Sequence, residues 1–423
     1  MIGATIEERV PMIKTLRHRS FALLWSGQFI SFLGDGIFRV ALAWTVLQLT
    51  GSALAMGTVF FAGLVPTILF TLLGGVAADR ISRRLLMLWS DMGRAVVVAL
   101  VAGLAWLHLL QFWHLLALSL LFGIADSFFT PSYQSIMPQL VPVDLLQSAN
   151  SLNRLSTLLS RIAGPSLGAL CVAVAGGPVS AFALDALSFW VSVSCLLVLR
   201  LPSAEPAVPR EGGQSLAIHN LLLDIRDGLR YVKKTTWLWV TIIVAAVSNV
   251  TFMVPLAVSL PRLVHDVYGA GPWLYGILVA ADGAGAIVAA IGLSQLPHLR
   301  RRGLLAYGCL LISFLSLTVL GLPLPRANEP IVATLACIFA GFGLGIFEIL
   351  EMTFLQENVP EDKLGRVFSV DMCGSYLLIP LGLLLVGALT DRIGPAVIFV
   401  IGGMLSLILA LAALLVRDIR ELK

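Results

Sequence analysis

Of 423 residues, 58% are hydrophobic and only 12% are charged, and the mean hydropathy is +0.94, whereas a soluble domain carries roughly 25% charged residues. This excludes a water-soluble globular protein. The net charge of +4 comes from basic residues spread over short connectors and not gathered on one face, which excludes a nucleic-acid partner as well.

A helix needs about 20 apolar residues to cross roughly 30 Å of hydrocarbon. Twelve stretches qualify, at 21–49, 53–78, 85–107, 114–137, 150–173, 179–200, 236–260, 273–296, 303–323, 330–355, 366–389 and 395–416. They predict an all-α integral membrane protein. Thr50-Gly51-Ser52, Gly176-Gly177-Pro178, Gly269 to Pro272 and Leu322 to Pro330 supply the turns between them. The first run is too long for a cleaved signal peptide. Most Lys and Arg fall in segments that are cytoplasmic if the N-terminus is inside, and only Arg262, Arg326 and Arg392 fall in external loops. Both termini are therefore expected in the cytoplasm.

The expected organisation is a cytoplasmic segment 1–20, a six-helix bundle 21–200, a linker 201–235, a second bundle 236–416 and a tail 417–423. Within the linker, 202–214 is rich in Pro and Gly and irregular. The stretch 215–234 places Leu222, Ile225, Leu229 and Val232 at helical spacing among charges, which suits a helix lying on the inner membrane surface or one that binds a soluble partner. The halves echo each other: Val141-Pro142-Val143-Asp144 and Arg83-Arg84 recur as Val359-Pro360-Glu361-Asp362 and Arg301-Arg302 at one common offset. Such duplication implies two bundles about an axis along the membrane normal, with a substrate site between them.

Charges at bilayer depth are costly unless they pair or face water. Asp35 lies about 15 residues into span one, roughly 20 Å deep, and Arg39 follows at i,i+4, so the two can face each other. That pair is either a coupling element or a locked structural bridge. Asp91, Arg94, Arg154 and Arg161 sit in one half of spans three and five and read as a gating network, while Asp185 in span six reads as structural. Glu348 and Glu351 are i,i+3 neighbours on span ten, able to share a proton or bind a cation; depth alone assigns the stronger desolvation to Glu348. Phe29, Phe32, Phe38 and Trp44 on span one face either an apolar substrate or lipid. Cys171, Cys195, Cys309, Cys337 and Cys373 stand singly among apolar residues, without the spacing of a metal site, and no cofactor is expected.

Gly75-x-x-x-Asp79-Arg80-x-x-Arg83-Arg84, between spans two and three, resembles the loop signature of the major facilitator superfamily, with Ser82 at a usual glycine. Ser160-x-x-x-Gly164-Pro165-x-x-Gly168-Ala169 in span five is similar to the antiporter motif, with Ser160 and Ala169 in place of glycines. Ser31-x-x-Gly34-Asp35, Leu140-Val141-Pro142 and Asp185-Ala186-x-Ser188-Phe189 resemble the branch of macrolide efflux proteins and the enterobactin exporter. The resemblance implies twelve helices in the major facilitator fold, with those carrying Asp126, Glu348 and Glu351 around a central cavity, and Asn249 and Asp282 are expected to add polarity to it beside Asp35 and Arg39. It also implies a conformational gate in which Asp79 caps span eleven and Arg80, Arg83 and Arg84 pair with Asp91, Asp371 or lipid phosphate; the alternative is that these arginines only set topology. Gly164, Pro165 and Gly168 permit a kink and close helix contact, a role shared by generic packing and antiport.

Gly341 to Gly345 imitates a dinucleotide loop, but no strand precedes it, and no P-loop is present, so an enzyme or nucleotide-driven pump is not expected. The reading is a secondary transporter in the bacterial inner membrane, a functional monomer exporting an amphipathic drug, macrolide or siderophore in exchange for protons. The alternatives are a lipid or lysophospholipid transporter, and a transporter-shaped sensor that moves nothing.

Overall fold

The computed structural model describes residues 11–174, 177–199, 226–295, 301–323, 325 and 328–422, without the side chains of 11–13, 72, 79, 361 and 362. Twelve helices are long and apolar enough to cross a membrane. Spans one to six are Arg19–Thr50, Ala53–Arg80, Arg83–Trp106, Phe112–Ile136, Leu146–Val174 and Val179–Val198. Span seven begins at Thr236–Ser248, and spans eight, nine, ten and twelve are Pro272–Ser294, Arg302–Leu320, Glu329–Asn358 and Pro395–Leu414. Span eleven consists of two helices, Glu361–Tyr376 and Ile379–Ile393. No strand occurs among the described residues.

Local chemistry explains the boundaries. Gly51 adopts φ 62°, a left-handed conformation that a side chain resists, and its N–H returns to Leu47 O at 2.7 Å to close span one. Ser52 then caps span two by accepting from Ala55 N at 3.1 Å, a contact of about 1 kcal/mol. Two departures from regular helix belong to the second half. Span seven carries π-helical segments at Asn249–Met253 and Leu263–Val267, and span eleven interrupts ahead of Pro380, whose missing N–H breaks the ladder. The linker is described only from 226, where 226–234 is helical; the rest of the expected surface helix lies outside the described residues.

The chain forms two compact units, Met1–Glu205 with Ala270–Ala280, and Pro206–Gly269 with Ala281–Lys423. In the first, Phe21, Leu24, Met87, Phe129, Ile136 and Leu196 form a buried cluster where spans one, three, four and six converge. In the second, Phe252 packs edge-on to Phe314 and Tyr307 to Phe347. Large apolar side chains such as Leu69, Trp106, Trp113 and Leu381 point outward. An exterior of that kind is stable in lipid, where helices are held together by close packing and internal polar contacts.

Near its far end, span seven is clasped to span eleven. Arg262 binds Asp391 and, at 2.8 Å, Asp266, which also contacts His265 at 2.8 Å. Partial burial opposes ionisation of Asp266, but the hydrogen bonds from His265 and Arg262 outweigh it and hold the carboxyl below its ordinary 3.8. The Arg262–Asp266 contact is therefore present at neutral pH and weakens as the pH falls through the lowered Asp266 value.

Candidate functional site

The middle of span one is gripped on two sides. A Cβ at Gly34 would fall on Ser188 Oγ and Asp185 Oδ1 of span six, and one at Gly36 would come within 2.8 Å of Gly164 Cα on span five. The antiporter-like motif thus packs directly against the backbone that carries Asp35. With span one held there, Asp35, Phe38 and Arg39 line a cavity of about 330 Å³, together with Phe60, Phe122 and Asp126 from spans two and four.

Asp35 and Arg39 do not form the expected side-chain pair. Arg39 Nε donates to the main-chain oxygen of Asp35 at 3.2 Å, because a long side chain on a helix folds back over the preceding turn and meets the carbonyl there. The Asp35 carboxylate is left facing the cavity.

Behind it lies a buried polar network. Arg94 on span three binds Asp91 on the same helix and, at 3.1 Å, Asp126 on span four. Asp91 also accepts from Ser192 Oγ of span six at 2.5 Å, and Ser192 accepts from Gln28 of span one at 2.7 Å. The guanidinium carbon sits 4.3 Å from the Phe129 ring centre and 4.7 Å from that of Phe189. The network joins four helices around one cation, whose charge and flat face are both used, while its Nε is buried without a hydrogen-bond partner. Of the expected gate of Asp91, Arg94, Arg154 and Arg161, the first two come together. Arg94 binds Asp126 as well, whereas Arg154 is exposed.

At the loop between spans two and three, Arg83 Nη1 donates to Ser135 O at 2.6 Å, and Arg84 donates to Leu196 O at 2.6 Å and Leu197 O at 2.7 Å. These arginines cap the closing carbonyls of spans four and six, where the helix dipole favours a cation, and do not pair with Asp91. Arg80 is exposed. Nothing described lies within 4 Å of a Cβ built at Gly75, whereas one at Gly74 would reach 2.5 Å from Ser127 O, so the close approach falls on the neighbouring glycine. The Asp79 side chain lies outside the described residues.

In the second unit, Asn249 starts the π-helical segment and donates to Ser375 O at 2.9 Å, just before the break in span eleven. Asp282 on span eight lies where Gly341 of span ten packs against its backbone. Glu348 and Glu351 are both partly buried. Glu351 is more enclosed than depth suggested, since its Oε1 is buried without a hydrogen-bond partner. Asp371 is 7% exposed. Depth along a helix measures distance from the water phase, but burial depends on which neighbour covers the side chain. Among the described residues no group of His, Cys, Asp and Glu has the arrangement of a metal site.

Sequence reasoning undervalued Asp185, Gln28 and Ser192. The available signal was a carboxyl in an apolar span, within the Asp185-Ala186-x-Ser188-Phe189 motif.

The family described as transmembrane secretion effector matches residues 12–423. The macrolide efflux protein A of Streptococcus pyogenes is 24% identical, with 95% of this chain and 97% of that protein aligned. The multidrug efflux pump Tap of Mycolicibacterium fortuitum is 29% identical over 99% of this chain and 98% of its own. Among solved structures, the nucleoside transporter NupG superposes with a TM-score of 0.71 at 13% identity, covering 94% of this chain and 98% of that one. A bacterial homologue of the iron transporter ferroportin, in an inward-facing state, gives 0.70 at 16% identity over 93% and 98%. At such identities the likeness to the solved structures concerns the fold alone.

Proposed function

We propose, from the premise that the chain belongs to the transmembrane secretion effector family of the major facilitator superfamily, that it exports amphipathic small molecules in exchange for protons. Twelve apolar helices and bacterial efflux relatives make it a multi-pass transporter of the bacterial inner membrane, not an enzyme. Proton exchange, the substrate class and the working cycle are the proposed part.

The observation that carries the reading is the Asp35 carboxylate, midway along span one, facing a cavity and left out of an ion pair with Arg39. A locked structural bridge would offer nothing to exchange, whereas a cavity-facing carboxyl can hold a proton or a cationic group in turn. Phe38, Phe60 and Phe122 give the same cavity apolar and aromatic surface for the body of an amphipathic substrate. The relatives named for macrolide and multidrug efflux support a drug-like substrate. In the proposed cycle, bundles 21–200 and 236–416 of a functional monomer rock about the site, Asp79 biases the gate, and Glu351 with Glu348 and Asp371 supplies protonatable groups in the second bundle.

The test is pH-driven flux of a macrolide and a cationic dye in everted vesicles. Wild type is expected to accumulate both, and Asp35→Asn, an isostere that cannot cycle a proton, is expected to insert normally and lose coupled flux. Unchanged coupled flux in that variant removes Asp35 from the mechanism. No pH-driven flux of either compound in wild type overturns the proton-exchange reading.

A further inference from the structure

Asp185 on span six is fully buried, and its Oδ2 has no hydrogen-bond partner. Its Oδ1 lies 3.2 Å from Ser188 Oγ. The hydroxyl of Ser188, however, has one hydrogen, and the shorter contact directs it to the main-chain oxygen of Asp185 at 2.8 Å. Oδ1 therefore receives at most the weaker branch of a shared hydrogen, and Oδ2 receives none.

No cation in the surroundings pairs with Asp185. Spans one, three and five pack against span six. Span one faces Asp185 with Asp35 and Arg39, and span three with Arg94, which carries Asp91 beside it. Arg94 is bound to Asp91 and Asp126, and Arg39 is turned to the Asp35 carbonyl. Arg154 and Arg161 of span five make no hydrogen bond or ion pair with Asp185, whose polar contacts are those to Ser188. A buried charge without a counter-ion is normally neutralised. Gly34, lacking a Cβ, lets this carboxyl lie against the backbone of span one, one residue from Asp35. Four carboxyls, Asp35, Asp91, Asp126 and Asp185, therefore share the neighbourhood of two guanidinium groups.

We propose that Asp185 is a second proton-binding carboxyl of the transport cycle, storing a proton behind Gly34 while Asp35 exchanges one with the cavity. This rests on the proton-exchange reading above. Two carboxyls so close titrate as a pair: an ionised Asp35 keeps the proton on Asp185, and the pair cycles one proton while never presenting two buried negative charges. Gly34 is the opening through which the two groups feel each other, which gives the Gly34-Asp35 and Asp185-x-x-Ser188 motifs a common purpose.

Infrared difference spectra of the full-length protein in liposomes, recorded against pH, read the carboxylic-acid carbonyl band without reference to flux. At pH 7 wild type is expected to show this band, Asp185→Asn to lose a component of it, and Asp35→Asn to keep that component with its titration displaced. Asp185→Ser, which retains a hydroxyl for Ser188, makes the same subtraction should the Asn variant not fold. An undiminished band in either Asp185 variant, or its disappearance in Asp35→Asn, overturns the proposal. Flux in the same liposomes separates the two readings. Wild type without pH-driven flux but with the Asp185 component refutes proton exchange alone, whereas coupled flux with an undiminished band in Asp185→Asn refutes the stored proton alone.

Discussion

Arg94 faces two carboxylates and two phenyl rings from inside a bundle in which it is only 3% exposed. Removing one member of such a network leaves the others charged and buried, which costs about 3–5 kcal/mol. Asp126 keeps partial access to the cavity, at 29% exposure, so its share is smaller. Arg94→Ala is expected to lose about 3 kcal/mol of stability. Arg94→Lys should lose about 1 kcal/mol, because an ammonium keeps the charge but neither the fork nor the stacked plane. Thermal unfolding of the purified protein in detergent should rank wild type above Lys above Ala. An Ala variant with the Tm of wild type would mean that the network contributes nothing to stability.

Helices in this protein meet through backbone contacts at chosen positions. The approach of span two to span four runs through Gly74, where an added methyl meets Ser127 O, whereas Gly75 has open space around it. Overpacking against a backbone atom costs about 1–3 kcal/mol. A methyl at an open helical glycine instead raises helix propensity by roughly 1 kcal/mol. Gly74→Ala is thus expected to lower Tm and Gly75→Ala to leave it unchanged or raise it, a contrast between neighbours that composition and exposure to lipid cannot produce. The opposite order in a thermal-shift comparison would mean that the signature glycine is the packing residue.

Across the whole molecule, each unit repeats one packing theme with different interior chemistry. A Cβ at Gly123 in the first unit would strike Gly63 O, and one at Gly341 in the second would strike Asp282 O. Arg83 caps span four at Ser135, while Arg302 bonds Glu357 near the end of span ten at 2.9 Å. The charged network of Asp91 and Arg94 has no such echo, because the second unit carries Cys309 and Ile312 at the positions related by the duplication. The distribution of Lys and Arg argues for both termini inside. A C-terminal green fluorescent protein fusion should then fluoresce and an alkaline phosphatase fusion stay inactive; the reverse pattern would invert the topology and the proposed direction of export.

The twelve spans, the Thr50-Gly51-Ser52 turn and the duplicated loops were legible in the sequence because length, apolar composition and turn chemistry act locally, whatever the helices later touch. Charged residues in apolar runs were equally plain, so Asp35, Asp91 and Arg94 stood out as site candidates. Their partners did not. Spacing along a helix says which residues share a face, but not which helix covers it, and in an apolar solvent no difference in hydrophobicity tells one face from another. Only the tertiary structure turned Arg39 to a carbonyl, Arg84 to the end of span six and Arg94 to Asp126, and buried Glu351 more completely than its depth implied. It also brought Asp185 against Gly34, a contact far apart in sequence that exists because one glycine lets two helices close over a carboxyl.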